Sequence, residues 1–306
     1  MLDVAYDYGS CVKNSEKVSW KLDDVMGPSA RLDLGRPFLP ESLSGSHRLT
    51  GFSSPERLKL NQITGSAYLN LFIFVEEYIL AFAVQQANAE MYGNHEAIRA
   101  LLRFADEEVK HQQLFSRYRD AFERDFGMKC DVLGGAKDVA GVILGKTPLA
   151  VTILTLQLEL MTQLHYTDSV RDATGVDPLF VSLLKHHWIE ESQHARVDTL
   201  ELQKLLGKAT PADVSLAFDE YFGLLAAMDG LLAEQAKLDA ATASRAFGRT
   251  LTDAETKDVI AVQHAAYRRT FLSLGMKNPQ FLGVVKQFAP EVVARITERA
   301  TELSPS

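Results

Sequence analysis

Glu190-Glu191-Ser192-Gln193-His194 and its counterpart Glu107-Glu108-Val109-Lys110-His111 decide how this chain is read. A Glu and a His three residues apart share one face of a helix, so both reach a single metal ion. One such pair arises by chance in many helices. Two pairs carry weight when each follows an earlier helix bearing a Glu in an apolar setting. That is a ligand set for two metal ions inside a four-helix bundle, with a Glu from each of two helices and an E-x-x-H from each of the others. The earlier carboxylates are Glu159 and either Glu76 or its neighbour Glu77.

The flanking sequence tests that idea. Around Glu159 the run Leu154, Leu156, Leu158, Leu160, Met161 is apolar on nearly every side, and no Lys or Arg lies between Lys146 and Arg171. A buried carboxylate needs a cation or hydrogen bonds, and a metal is the natural partner here. Most Glu residues on long helices simply face water, and Lys110 and Arg103 are read in that way. Glu107 and Glu190, each just before a ligand Glu, are placed to hold the second N–H of the His on the facing helix.

Punctuation sets the helices. Ser54–Pro55, Thr147–Pro148, Asp177–Pro178, Thr210–Pro211 and Asn278–Pro279 each pair a capping residue with a proline at the first helical position. Asn94 caps another helix, and Thr252 with Glu255 forms a capping box. Sustained β-alternation is absent, so the fold class is all-α. The helices fall at about 55–91, 95–126, 148–173, 178–206, 211–247 and 253–274, with short pieces beyond. Residues 1–53, rich in Gly and Pro, read as an irregular arm with a short helix near Trp20. The arm lies over a single domain, 54–306, made of a bundle (about 55–206) and extra helices (about 211–303). Tight turns at Gly93–Asn94 and Thr174–Gly175–Val176 join helices one to two and three to four, and about twenty residues from Gly127 to Thr147 cross between two and three. Two hairpins and one long crossover make the ferritin-like arrangement.

Heights along the helices agree with one site. Glu108 lies 14 residues beyond Asn94 and Glu191 lies 14 beyond Asp177, roughly 21 Å up each helix at 1.5 Å per residue. Counting back from the turns brings Glu159 and Glu76 or Glu77 to the same level. The turn count slightly favours Glu77. Periodicity favours Glu76, whose helical neighbours Phe72, Ile73, Ile79 and Leu80 are apolar, whereas Glu77 continues a line through Ser66 and Asn70. His187, four residues before Glu191 and seven before His194, lies on their stripe and adds a third His. The alternative for His187 is a hydrogen bond to an outer acid such as Glu107. His186, His165, His95, His47 and His264 lack that registration and are read as structural.

Composition removes other classes. The chain has 306 residues, 46% hydrophobic, with net charge −8. With no basic run or interleaved basic–aromatic stripe, nucleic acid is excluded as a partner. Cys11 and Cys130 form neither a disulfide framework nor a zinc site, which places the chain in a reducing cytoplasm. No apolar leader is visible in Met1–Lys13. Ala67–Val84 approaches membrane-span length but carries Glu76 and Glu77 at its centre, so it reads as a buried bundle helix and no membrane partner is expected. Gly141–Thr147 imitates a phosphate loop, but its spacing is one residue short and no strand precedes it.

Tyr68, Ile73 and Glu76, then Glu107-Glu108-x-x-His111, Glu159 leading to Arg171-Asp172-Ala173-Thr174, and His187-x-x-x-Glu191-x-x-His194 together resemble the p-aminobenzoate N-oxygenase (arylamine oxygenase) family. The resemblance covers about residues 55–206, and Glu107 and Glu190 stand where that family's pattern has Asp. It implies a non-haem di-iron oxygenase with metal ligands Glu76 (over Glu77), Glu108, His111, Glu159, His187, Glu191 and His194. It also implies two Fe ions (or a Mn/Fe pair), O2 as co-substrate, and an amine nitrogen of a small organic substrate as oxygen acceptor. No flavin or iron–sulfur motif is present, so an external ferredoxin or reductase is expected to supply electrons. A homodimer is the expected assembly. The alternatives are a C–H hydroxylase or fatty-aldehyde oxygenase on the same site, or a non-catalytic iron-binding or storage protein.

Overall fold

Each long helix begins where a side chain satisfies the free N–H groups of its first turn. The structure is a computed structural model that describes residues 2–304. Helix α1 (Tyr8–Val18) is followed by two bundle helices, α2 (Ser54–Ala89) and α3 (His95–Phe126), which form the first hairpin. The crossover carries its own helix, α4 (Ala136–Leu144). The second hairpin joins α5 (Pro148–Leu164), extended by a π-helical segment His165–Val170, to α6 (Pro178–Leu206). Then come α7 (Pro211–Phe247), α8 (Asp253–Tyr267, with a second π segment Arg268–Leu274), α9 (Pro279–Phe288) and α10 (Val292–Leu303). Among the described residues there is no strand, and the all-α, ferritin-like arrangement holds.

Several expectations need correction. The N-cap of α2 is Ser53, not Ser54; its hydroxyl accepts from Glu56 N–H while Glu56 accepts from Ser53 N–H. Lys110 and Arg103 are not free in solvent: both are half-buried and ion-paired beside the site, Lys110 with Glu190 and Arg103 with Glu107. The segment before residue 54 is less irregular than its composition suggests. Asp7 caps α1, with Ser10 closing a capping box, and α1 buries Cys11, Val12 and Ser15 against α3 and α6. Its first apolar residues, Tyr8, Cys11 and Val12, span one turn and the next inward position is the polar Ser15, which is why the sequence hides this helix. Trp20 lies between the end of α1 at Val18 and the single helical turn Leu22–Val25. The crossover, expected as plain connection, carries helix α4, which packs on α2.

The arm is tied to the bundle by side chains that serve twice. Asp177 caps α6 through Phe180 N–H (2.9 Å) and also accepts from Asp33 N–H (2.7 Å). Asn61 accepts from Phe38 N–H and donates to Leu39 C=O. Behind the bundle, the π segment after α8 presses on α5 so closely that a Cβ at Gly275 would meet the Gln157 carbonyl oxygen at 2.5 Å. Only glycine permits that approach. Helix α2 is long and apolar enough to cross a membrane, yet 61% of its most apolar window is buried inside the protein. Its hydrophobicity is therefore spent largely on the core.

Candidate metal centre

The four bundle helices turn carboxylates and imidazoles toward one another at their shared mid-height. Glu76, His111, His187 and Glu191 offer ligand atoms that all lie within 4.8 Å of one another, and so do Glu108, His111, Glu191 and His194. Glu159 joins the second group, with Oε2 3.8 Å from His194 Nδ1. None of the seven residues is more than 3% exposed. Glu191 spans the two groups. Its Oε1 lies 2.9 Å from His187 Nε2 and 3.1 Å from His111 Nδ1, and its Oε2 lies 3.5 Å from His194 Nδ1.

This crowd of acids is unsatisfied as it stands. Glu76 Oε2, both oxygens of Glu108 and of Glu159, Glu191 Oε1, and Nδ1 of His111 and His194 are all buried without a hydrogen-bond partner. Buried polar atoms normally find partners, and a cluster of orphans in one place is a rare departure. The carboxylates also perturb each other. Burial and the neighbouring Glu76 hold Glu108 well above the usual carboxylate range, and burial and Glu191 do the same to Glu159. Burial also works against ionisation of Glu191, but His187 and His194, one turn away on either side along the same helix, outweigh it and pull Glu191 well down. A donor set of four carboxylates and three imidazoles, aimed inward and short of positive charge, fits two divalent or trivalent metal ions.

Both E-x-x-H imidazoles are fixed from behind. His111 Nε2 lies 3.0 Å from Glu190 Oε2, and His194 Nε2 lies 3.0 Å from Glu107 Oε2. Each outer acid thus serves the His of the facing helix, and its hydrogen bond leaves Nδ1 as the free inward nitrogen. The same pairing shows that α3 and α6 run antiparallel across the site. His187 takes a different place: its Nε2 contacts Glu76 Oε1 at 3.0 Å and Glu191, with Glu107 engaged elsewhere. Its ring packs edge-on against Phe72 and Phe115 at 4.9 and 5.0 Å.

The outer acids have partners the sequence reading did not find. Lys110 Nζ donates to Glu190 Oε1 at 2.5 Å and sits 4.2 Å over the Trp20 ring. Trp20 stacks near-parallel on His111 and donates its indole N–H to His186 C=O. On the other side Ser15 donates to Glu107, Arg103 Nε donates to Ser15, and Phe104 stacks on His194 at 4.0 Å. Ser15 and Trp20 both come from the N-terminal arm. Only distance in sequence concealed them, since neither belongs to a motif. Asp198, one turn beyond His194, is another unforeseen acid: it is 1% exposed, neither oxygen has a partner, and burial holds its carboxyl well above the usual range.

The remaining candidates separate cleanly. Glu77 is only half-buried and is not among the clustered ligand atoms, whereas Glu76 is 3% exposed and aimed inward. His186, His264 and His47 are engaged with Ser182 C=O, Asp229 and Glu41. His95 is exposed at the start of α3. His165 is buried against Tyr68 and Phe72, and burial pushes its pKa down to about 3, with His187 adding to the effect.

No family profile matches this chain, and no curated protein matches it. Among solved structures it is similar to an R2-like ligand-binding oxidase with aerobically reconstituted Mn/Fe cofactor, at 14% identity over 86% of this chain and 92% of that one, TM-score 0.47. A variant of such an oxidase with aerobically reconstituted Fe/Fe cofactor is similar at 15% identity over 86% and 92%, TM-score 0.47.

Proposed function

We propose that this protein is a non-haem dinuclear iron oxidoreductase that uses O2 to transfer oxygen to a small organic substrate, with an amine nitrogen as the acceptor. The observation that carries the reading is the set of buried, inward-facing donor atoms left without partners on Glu76, Glu108, His111, Glu159, Glu191 and His194. Those residues and His187 would hold two iron ions, or one manganese and one iron. Bound there, the pair would supply the electrons and open coordination positions for O2 reduction.

The chain's own work is positional. Glu190 and Glu107 hold the Nε2 protons of His111 and His194, fixing tautomer and ring orientation. Lys110 and Arg103 pair with those outer acids from the far side. Trp20, Phe104, Phe72 and Phe115 close the site with rings and exclude water, which strengthens every electrostatic interaction inside. Amine oxygenation comes from the His187-x-x-x-Glu191-x-x-His194 pattern and the family it resembles. An external ferredoxin or reductase as electron donor, a homodimer and a cytoplasmic location belong to the same proposal.

The test is single-turnover reaction of the reduced, iron-loaded protein with O2 and aryl amines. N-oxygenated product at up to one equivalent per dinuclear site supports the reading. Hydroxylation of carbon would transfer it to the C–H alternative, and accumulation of many iron atoms per chain as mineral would replace it with storage.

A further inference from the structure

Seven large apolar side chains are exposed among the described residues, and five of them, Val84, Met91, Tyr92, Leu102 and Val109, lie on the α2–α3 hairpin. They are not scattered. On α3 the stripe Ile98, Leu102, Ala105, Val109, Gln112 advances by alternating steps of four and three residues, the spacing of helices that pack on another helix. On α2, Ile73, Glu77, Leu80 and Val84 repeat those steps, and Met91 continues the stripe into the turn. Ile73, Leu80 and Ile98 are covered only in part.

A contiguous apolar face of this kind meets lipid or protein. Glu77, Asn88, Arg99 and Asp106 stand within or beside the two stripes, and charges held against hydrocarbon are costly. Protein is left. With the turn, the stripes run roughly 25 Å at 1.5 Å per residue, and two packed helices make a face about 20 Å wide. That is roughly 500 Å2 on each of two copies and about 1,000 Å2 in all, the size at which a specific contact begins.

The face is complementary to itself. A two-fold axis lying in the face and crossing α3 between Leu102 and Ala105 lays α3 antiparallel over its counterpart. Leu102 then packs on the partner's Ala105 and Ile98 on the partner's Val109, while Arg99 comes beside the partner's Asp106. Arg99 is exposed, and its contacts with Glu16 and Glu96 are long, at 3.9 and 3.8 Å. Glu76 of α2 meets Glu108 of α3, so the same axis crosses α2 near Ala81. There Leu80 and Val84 meet the partner's Val84 and Leu80. Apolar residues face apolar residues, and small ones lie near the axis.

We propose that the outer face of the α2–α3 hairpin is the contact between two copies of this chain. This assigns a surface to the expected homodimer, and it holds whatever chemistry the centre performs.

Sedimentation equilibrium of the full chain tests it, with circular dichroism as the check on folding. The wild type is expected as a dimer at micromolar concentration. Leu102→Lys and Val84→Lys, both at exposed positions, should each weaken it by roughly 100-fold or more, because symmetry loses each side chain twice. Leu216→Lys, exposed on α7, should leave it unchanged. Arg99→Asp and Asp106→Arg should each weaken the dimer several-fold by bringing like charges together, and the double variant should restore it. A monomeric wild type, a dimer indifferent to both lysines, or charge reversals that the double variant does not rescue would overturn the proposal. So would co-sedimentation of the wild type with phosphatidylcholine vesicles that either lysine abolishes, which would make the face a lipid contact.

Discussion

Glu190 offers the sharpest perturbation of the proposed centre, because it touches no other member of the inward cluster than His111. Glu190→Ala removes the acceptor 3.0 Å from His111 Nε2 and the partner 2.5 Å from Lys110 Nζ. Hydrogen bonds to charged groups contribute about 1.5–3 kcal/mol each. The part that reaches the metal is the tautomer and orientation of His111, and loss of such a support costs about 10–100-fold in metal affinity, or about 1.4–2.7 kcal/mol. His194 keeps its own support through Glu107, Ser15 and Arg103. The loss should therefore fall on one of the two metals. Competitive Fe(II) titration against a chelator resolves two binding steps. We expect one step weakened 10–100-fold and the other within about twofold of wild type, with Glu190→Gln intermediate since its amide oxygen still accepts. Two unchanged steps, or two equally weakened ones, would refute the division of labour drawn here.

Three further outcomes follow from the same geometry. Glu76→Gln should cost at least tenfold in affinity for one metal, whereas Glu77→Gln should leave both steps within about twofold, as read by the same titration. His187→Ala should retain two metals per chain, held by the other six ligands, but shift the visible spectrum of the metal-loaded protein and abolish substrate oxidation; an unchanged spectrum would remove His187 from the ligand set. Asp239 lies apart from the centre, buried among Tyr267, Gln235 and Gln263, and burial raises its pKa to about 7 against their hydrogen bonds. Its folded-state proton is held more tightly than in the unfolded chain, so its contribution is full below about pH 4 and is lost as pH rises to about 7. Three units correspond to about 4 kcal/mol, and the stability of wild type relative to Asp239→Asn, followed by urea unfolding from pH 4 to 7, should fall with rising pH by that order.

Much of this was legible in the chain because long bundle helices announce themselves locally. Asn94, Thr147, Asp177, Thr210, Thr252 and Asn278 all cap as their neighbours suggest. The level heights of Glu108, Glu159 and Glu191 follow from rise per residue alone. Periodicity could not choose between Glu76 and Glu77 outright, since α2 is buried on most sides and its polar line is faint. What stayed hidden depends on contacts between segments far apart in sequence. Helix α1 is short and carries a polar Ser15 at an inward position, and Ser15 and Trp20 acquire meaning only when the arm folds back on Glu107 and His111. Lys110 and Arg103 read as ordinary surface cations for the same reason: their partners Glu190 and Ser15 are 80 and 88 residues away. The crossover helix α4 was obscured by glycines at both ends, Gly135 and Gly145.

The central claim, that the buried Glu and His cluster holds two metal ions, is tested most directly by anomalous diffraction from crystals of the iron-loaded protein, recorded at the iron and manganese edges. Two anomalous peaks per chain are predicted, both in contact with Glu191, one ligated by Glu76, His111 and His187 and the other by Glu108, Glu159 and His194. A single peak, no peak, or peaks outside this cluster would contradict the claim.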